Sequence, residues 1–268
     1  MLETVAAAGA AFRGVHYYEG HLSECCAAAG ADEATVSAAV EARTAKCVAA
    51  YERLADVIVA INLGPGGKPV PEVITSGTPG FTSALGYDLK GAVDARLREK
   101  KAEGARIPPQ LDADVARNPW PVHRVSPGTV VFHDWRGERQ NPGMGLVPAA
   151  ALMARVVSLP SPGEVVTLDC GSKSLAAEAG DPAGYIIGRP EWTARACSEE
   201  HLPCSIISRG DGGQLPPPKR GDVVFIVPEH ICPTVNLAEQ MVMFDGDTFV
   251  GLVDVEGRGH EIITCGDA

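Results

Sequence analysis

Apolar positions in the first third of the chain recur with a helical period in one stretch and run together in others. Phe12 to Tyr18 (F-R-G-V-H-Y-Y) is a short β-prone run that empties into the turn Glu19-Gly20-His21. Asp32 is placed to cap an Ala-rich helix reaching to about Leu54, with Val36, Ala39, Val40 and Ala50 at helical spacing. Val57 to Ile61 reads either as a buried strand or as the end of that helix. After the glycine-rich stretch Gly64 to Gly67, Val70 to Thr75 reads as a strand ending in S-G-T-P-G, residues 76–80. Strand, helix and strand with short glycine-rich exits is the pattern of a parallel α/β unit.

Leu85 to Pro121 differs. Asp88, Lys90, Asp94, Arg96, Arg98, Glu99, Lys100, Lys101 and Glu103 predict a solvated helix, and Pro108-Pro109 and Pro119-Trp120-Pro121 predict a linker or lid after it. From Val122 onward the helical pattern nearly disappears. Residues 129–134, 154–159, 164–169, 222–227, 240–244 and 249–255 are short β runs parted by Gly and Pro. The predicted fold class is therefore α/β plus all-β, with an α/β part over 1–121, including the charged insertion, and a β domain over 122–268.

A chain of 268 residues can bury a large core, and 45% hydrophobic with 21% charged residues is ordinary for a folded soluble domain. The net charge of −11 argues against nucleic acid or an anionic membrane as main partner. Met1 to Gly9 has no basic region ahead of an apolar run, and no stretch approaches 18 uninterrupted apolar residues. Eight cysteines without a C-x-x-C pair favour reduced thiols in a cytoplasm over a disulfide framework, with Cys25-Cys26 read as packing.

Candidate chemistry concentrates at His230 and Cys232, in V-P-E-H-I-C-P-T-V-N over residues 227–236. If this run is extended, side chains two apart leave the same face, about 7 Å apart along a strand. Imidazole and thiolate together suit zinc, and two protein ligands leave positions for water or substrate. The alternative is a buried His beside an inert Cys.

Ordered short matches surround that pair. L-D-C-G-S-K-S at 168–174, C-S-E-E-H at 197–201, Gly221-Asp222, P-E-H-I-C-P-T-V-N at 228–236 and G-R-G at 257–259 resemble the C-terminal domain of D-serine dehydratase and D-threonine aldolase. That family comprises pyridoxal-phosphate enzymes of the alanine-racemase-like fold. Y-E-G-H at 18–21 resembles its Y-x-G-H turn at the end of a barrel strand. T-S-G-T-P at 75–79 resembles its S-G-G-T-P loop, with Ser76 where the family more often has Gly.

The resemblance implies a partial (β/α) barrel followed by the β domain. It implies pyridoxal 5'-phosphate near Tyr18, with Ser76, Gly77 and Thr78 approaching its phosphate through backbone N–H groups. It also implies zinc, or another divalent metal, on His230 and Cys232. In the family a lysine carries the cofactor as a Schiff base, the ring acts as electron sink, and the metal stabilises the departing hydroxide of a D-β-hydroxy amino acid. H-x-C leans towards the dehydratases, since the aldolases tend to carry H-x-D; a retro-aldol lyase and a non-catalytic metal-binding domain are the alternatives. His201 reads as either near the cofactor or capping a turn, Lys173 as structural, Asp169 as a turn anchor, and His123, His133 and His260 as surface or satisfied core residues.

One departure matters. The family's lysine lies in a segment resembling P-H-x-K-T-H, which this sequence lacks. The expectation is a chain without roughly the first barrel half and without the Schiff-base lysine, inactive alone. It reads as a C-terminal piece, as one half of a split enzyme, or as a degenerate protein. A homodimer, or pairing with a missing N-terminal half, is expected.

Overall fold

The structure, a computed structural model, describes residues 11–24, 27–28, 30–64, 68–112, 121–207 and 215–259. Cys25, Cys26, Pro65 to Gly67, Pro119, Trp120, His260, Cys265 and the first ten residues, on which some expectations fall, lie outside the described residues. The chain divides into two compact units: one takes 1–128 with 139–141, the other 129–138 with 142–268.

The first unit is α/β. Three short strands, β1 (Gly14–His16), β2 (Glu72–Thr75) and β3 (Val122–Val125), form a parallel sheet in the order β1-β2-β3. Helix α1 (Glu33–Leu63) connects the first two strands; α2 (Phe81–Leu85) and α3 (Leu89–Ala102) precede the third. Asp32 caps α1 as predicted, its carboxylate accepting from Thr35 N at 2.7 Å. Val57 to Ile61 turns out to be the end of α1: Leu54, Ala55, Ile58 and Val59 lie buried with Val70 and Val73 of the neighbouring segment. Burial on one helix face there outweighs the β propensity of the Val-Ile-Val run.

Helix α3 is less solvated than its charges predict. Leu89, Val93 and Leu97, at spacings of four, form an apolar stripe in the same core, and the charges occupy the other faces. The break at 121/122 also moves. Val122 to Val125 pairs in parallel with β2, so the first unit runs on to Gly128 and takes in 139–141 as well.

The second unit is all-β in its main body. Strands β4 (Leu152–Ser161), β5 (Val165–Leu168), β6 (Gly184–Ile186), β7 (Trp192–Ala194), β8 (Leu202–Ile206) and β9 (Val223–Pro228) form an antiparallel sheet in the order β6-β9-β4-β5-β8-β7. The ten-residue β4 joins the two halves. Leu152 to Arg155 pair with β9, and Val156 onward pairs with β5 through two register shifts. Such irregularities bend a strand, and here they let one strand serve both halves of a curled sheet. Ala154, Val156, Val166, Leu168, Ile186, Leu202 and Ile226 fill the interior. Strands β6, β7 and β8 carry too few apolar residues in sequence for the pattern to announce them.

A second sheet, β10 (Gln240–Asp245) with β11 (Thr248–Asp254), is a hairpin closed at Gly246, whose φ of 56° suits a tight turn. Residues 129–134, expected as a strand, form a single 3-10 turn at Thr129–Val131 and lead into helix α4 (Trp135–Gln140). His133 breaks the extended path, with φ 53°. No helix among the described residues is long and apolar enough to cross a membrane.

Leu168, on β5, is fully buried in the core of this sheet. Leu168→Ala is expected to cost about 2–5 kcal/mol, read as a lower urea midpoint at unchanged slope.

Candidate functional site

In the first unit, the Y-E-G-H turn and the S-G-T-P loop meet. The Tyr18 ring lies over both Gly20 and Gly77: a Cβ on either would fall within 2.7 Å of the ring. Tyr18 is otherwise 59% exposed, whereas Ser76 and Thr78 are buried. Ser76 adopts φ 61°, one of two non-glycine residues with positive φ among those described. A Cβ is strained there, which gives a physical reason for glycine at this position in similar loops.

What holds Ser76 is a buried polar chain that sequence patterns did not reveal. Tyr51 donates to Glu19 Oε1 at 2.7 Å and lies 2.7 Å from Ser76 Oγ; Ser76 N donates to Glu19 Oε2 at 3.3 Å. Ser76 Oγ donates to Thr75 Oγ1 at 3.0 Å, which lies 2.8 Å from His123 Nε2. Glu19 also explains Gly80, because a Cβ there would fall 2.4 Å from its carboxylate oxygen. Burial pushes the Tyr51 phenol well up, with Glu19 adding to the shift, and it holds the His123 imidazolium below its ordinary value. His123 is thus a bonded, half-buried histidine beneath the loop. The Ser76 N–H is taken by the Glu19 carboxylate, so the phosphate contact expected through the Ser76 amide is already occupied, and the expectation is left with Gly77 and Thr78.

In the second unit the strand premise for His230 and Cys232 fails. Strand β9 ends at Pro228; His230 is still extended (φ −137°) but caps helix α5 (Ile231–Val235), so Cys232 sits in a helical turn. Residues two apart in a helix do not share a face. Other contacts fix the segment. Asp134, 1% exposed, accepts from Ile231 N at 2.9 Å through Oδ2 and from Gly137 N at 2.6 Å through Oδ1. Arg136 N donates to Glu229 O at 3.1 Å, and Thr129 Oγ1 lies 3.0 Å from Cys232 Sγ. Thr234 Oγ1 donates to the His230 carbonyl at 2.8 Å.

Burial lowers the His230 pKa, with Asp134 opposing and Arg136 adding to the shift. Cys232 is the exposed one of the five described cysteines; burial pushes the Cys170 and Cys204 thiols up to about 12, which leaves those two inert. No group of three or more His, Cys, Asp or Glu able to hold a metal occurs among the described residues. The donor types present in this segment are one imidazole and one accessible thiol, the kinds of group zinc takes, on either side of the helix start.

The other matched motifs serve the scaffold. Ser172 N donates to Ser198 O, and a Cβ on Gly171 would strike the Glu199 backbone at 2.2 Å, so the 168–174 and 197–201 segments pack on each other. Lys173 pairs with Glu199 and Glu200 at the surface. His201 is exposed and its carbonyl accepts from Ser198 N, a turn contact. Asp169 accepts from Arg155 N on β4 at 2.6 Å, and Arg258 pairs with Glu239. His133, beside Asp134, is buried and bonded through Nε2 to Glu138 at 2.9 Å. It lines a cavity of about 350 Å³ with Trp135, Glu138, Tyr185, Ile187 and Val227; the Trp135 and Tyr185 rings stack at 4.8 Å.

Residues 149–244 match the family described as "Putative serine dehydratase domain". A D-threonine aldolase of Arthrobacter sp is 35% identical over 108 residues, 40% of this chain and 26% of that protein. Among solved structures, D-threonine aldolase from Filomicrobium marinum superposes with a TM-score of 0.62 at 22% identity, covering 93% of this chain and 54% of that one. D-threo-3-hydroxyaspartate dehydratase from Delftia sp. HT23 superposes at 0.51 and 17% identity, covering 97% and 69%. A cysteine-to-alanine mutant of a dehydratase of that name, in the metal-free form, is also similar. At these identities the likeness to solved structures is one of fold. The chain spans about a quarter of the length of the Arthrobacter relative and about half that of the Filomicrobium one.

Two outcomes follow from the buried chain at Ser76. Ser76→Ala keeps the strained Cβ and loses the hydroxyl bonds, so it should be less stable than Ser76→Gly by about 1–2 kcal/mol in paired urea titrations. The folded pKa of His123 lies below its unfolded value of 6.5, so its neutral ring contributes stability above pH 6.5 that is lost as pH falls through the depressed value. His123→Gln should flatten the fall in urea midpoint between pH 7 and pH 5.

Proposed function

We propose that this chain, whose C-terminal part carries the domain of the D-serine dehydratase and D-threonine aldolase family, contributes to a pyridoxal-phosphate- and zinc-dependent lyase. Its substrates are small D-β-hydroxy amino acids, and its reaction is dehydration with release of ammonia. The observation that carries this reading is the His230–Cys232 segment, with a half-buried imidazole and an exposed thiol on a backbone pinned from three sides.

When bound, pyridoxal phosphate supplies an electron sink at the substrate Cα and the divalent metal a Lewis acid for the leaving oxygen. This chain's residues do the holding. Gly77 and Thr78, in the loop that Ser76 shapes through its left-handed backbone, would approach the phosphate, and the Tyr18 ring lies over Gly77. His230 and Cys232 would hold the metal, which would supply Lewis acidity to the substrate oxygen. A partial barrel in the first unit agrees with its three parallel strands. Retro-aldol cleavage is the second reading, favoured by the D-threonine aldolase relative at 35% identity.

The test supplies the full chain with pyridoxal phosphate, Zn²⁺ and a polypeptide carrying the family's lysine-bearing N-terminal half. Ammonia and pyruvate from D-serine are expected, and His230→Ala or Cys232→Ala should abolish them. Glycine and acetaldehyde from D-threonine, with no ammonia from D-serine, would favour the aldolase instead. Zinc retention without turnover of either substrate would make this a non-catalytic metal-binding domain. The chain alone is expected to give no visible absorbance band that borohydride fixes to one of its own lysines; such a band would overturn the assignment of the lysine to another segment.

A further inference from the structure

We infer that the segment Thr129 to Arg136 is a positioning clamp for the metal pair, with Asp134 and Thr129 as its positioning residues. The inference rests on the reading of His230 and Cys232 as metal ligands and adds the question of what aims them. The clamp touches the ligand-bearing segment on both sides of His230. Arg136 N donates to the Glu229 carbonyl at 3.1 Å, and its guanidinium Nε lies 3.3 Å from Glu229 Oε1. Asp134 Oδ2 accepts from Ile231 N at 2.9 Å. Thr129 Oγ1 meets Cys232 Sγ at 3.0 Å. Positions 229, 231 and 232 are therefore each tied to one short stretch of chain about a hundred residues earlier. Among the described residues, the His230 ring itself makes no hydrogen bond.

Two features show that the clamp is built to a shape. Asp134 divides its oxygens between two chain segments: Oδ1 holds Gly137 N in the first turn of α4, and Oδ2 holds Ile231 N in the first turn of α5. A buried carboxylate used in this way fixes the two helix starts relative to each other. The residue before it, His133, takes the left-handed conformation at φ 53°, and a non-glycine residue held there marks a backbone fixed by its surroundings. Gly137 completes the fit, since a Cβ would lie 3.0 Å from Asp134 Oδ1 and 3.1 Å from His133 Nδ1.

Thr129 has a chemical role in addition. A metal-bound thiolate carries no proton, so in that state the hydroxyl is the donor and the sulfur the acceptor. Donation to the sulfur orients the Cys232 side chain and shares the charge that the metal also draws on, the usual work of a group one layer behind a ligand. Arg136 acts through Glu229, fixing the residue before the imidazole. Thr234, whose hydroxyl donates to the His230 carbonyl and accepts from Ala176 N at 3.3 Å, holds the same residue from the opposite end of α5.

The experiment uses the full chain and reads metal binding instead of turnover. Zn²⁺ affinity is measured by competition with a chromophoric chelator, and the Co²⁺ form is examined for the near-ultraviolet thiolate-to-metal band. Thr129→Val and Asp134→Asn should each weaken Zn²⁺ binding roughly 10- to 100-fold and shift or diminish the Co²⁺–thiolate band. Thr129→Ser, which keeps the hydroxyl, should restore both readouts to near wild type. The metal-free urea midpoint of Thr129→Val should match wild type, which separates aiming from folding; should Asp134→Asn fail to fold, the Thr129 pair decides alone. Wild-type affinity and spectrum in Thr129→Val and Asp134→Asn, with binding abolished in His230→Ala, would overturn the clamp while leaving the metal pair standing. No Zn²⁺ uptake by the wild-type chain would overturn the metal reading and the clamp with it.

Discussion

A carboxylate taken out of water must be given hydrogen-bond donors, because an unsatisfied buried charge costs several kcal/mol. At Asp134 the donors are two backbone N–H groups, one three residues on and one 97 residues on. That double acceptance ties the start of α4 to the start of α5, and the candidate metal pair lies on either side of the second donor. Hydrogen bonds to a charged acceptor contribute about 1.5–3 kcal/mol each, which is enough to make the local backbone a defined shape. The curled sheet behind it, through β9 and its pairing with β4 and β6, delivers Pro228 and Glu229 to the place where that carboxylate can catch the chain. Without it the H-x-C motif would be two side chains on a short, marginal helix.

The first unit shows the same economy with different groups. Glu19 accepts from the Tyr51 phenol and the Ser76 amide, and a chain of hydroxyls continues to His123. Ser76 and His133 are the two described non-glycine residues in the left-handed region, one in each unit, and each adjoins a candidate site. Strain of this kind persists where neighbouring contacts over-determine the backbone. At Ser76 the neighbours are Tyr51, Thr75 and Glu19. At His133 they are the Glu138 carboxylate on one side and the Asp134 clamp on the other.

Much of the fold could be read from hydrophobic spacing, because the long strands and helices bury enough surface to leave a period in the sequence. The Asp32 cap, the body of α1, and strands β2, β4, β5, β9, β10 and β11 fall where the apolar runs place them. What escaped reading was set by contacts distant in sequence. Val122 to Val125 joins the parallel sheet because β2 pairs with it, and nothing local distinguishes it from the strands that follow. Strands β6 and β7, three residues each, carry no usable period. The run at 129–134 has strand composition but must turn at His133 so that Asp134 can face Ile231.

The candidate sites divide in the same way. His230, Cys232, Tyr18 and the loop at 76–78 were singled out because motifs carry them, and the structure brings Tyr18 and the loop together. The picture of His230 and Cys232 as neighbours along a strand was wrong in mechanism, since α5 begins between them. Glu19, Tyr51, Thr129 and Asp134 were invisible as site residues. A Glu in a turn, a Tyr in a helix, and a Thr and an Asp in a β-prone run look ordinary until folding places their partners. X-ray absorption at the zinc edge of the metal-loaded full chain tests the central claim most directly. One sulfur near 2.3 Å with nitrogen or oxygen neighbours near 2.0–2.1 Å is the expected shell, losing its sulfur in Cys232→Ala. A shell without sulfur in the unaltered chain, or one of four sulfurs, would contradict an open site built on His230 and Cys232.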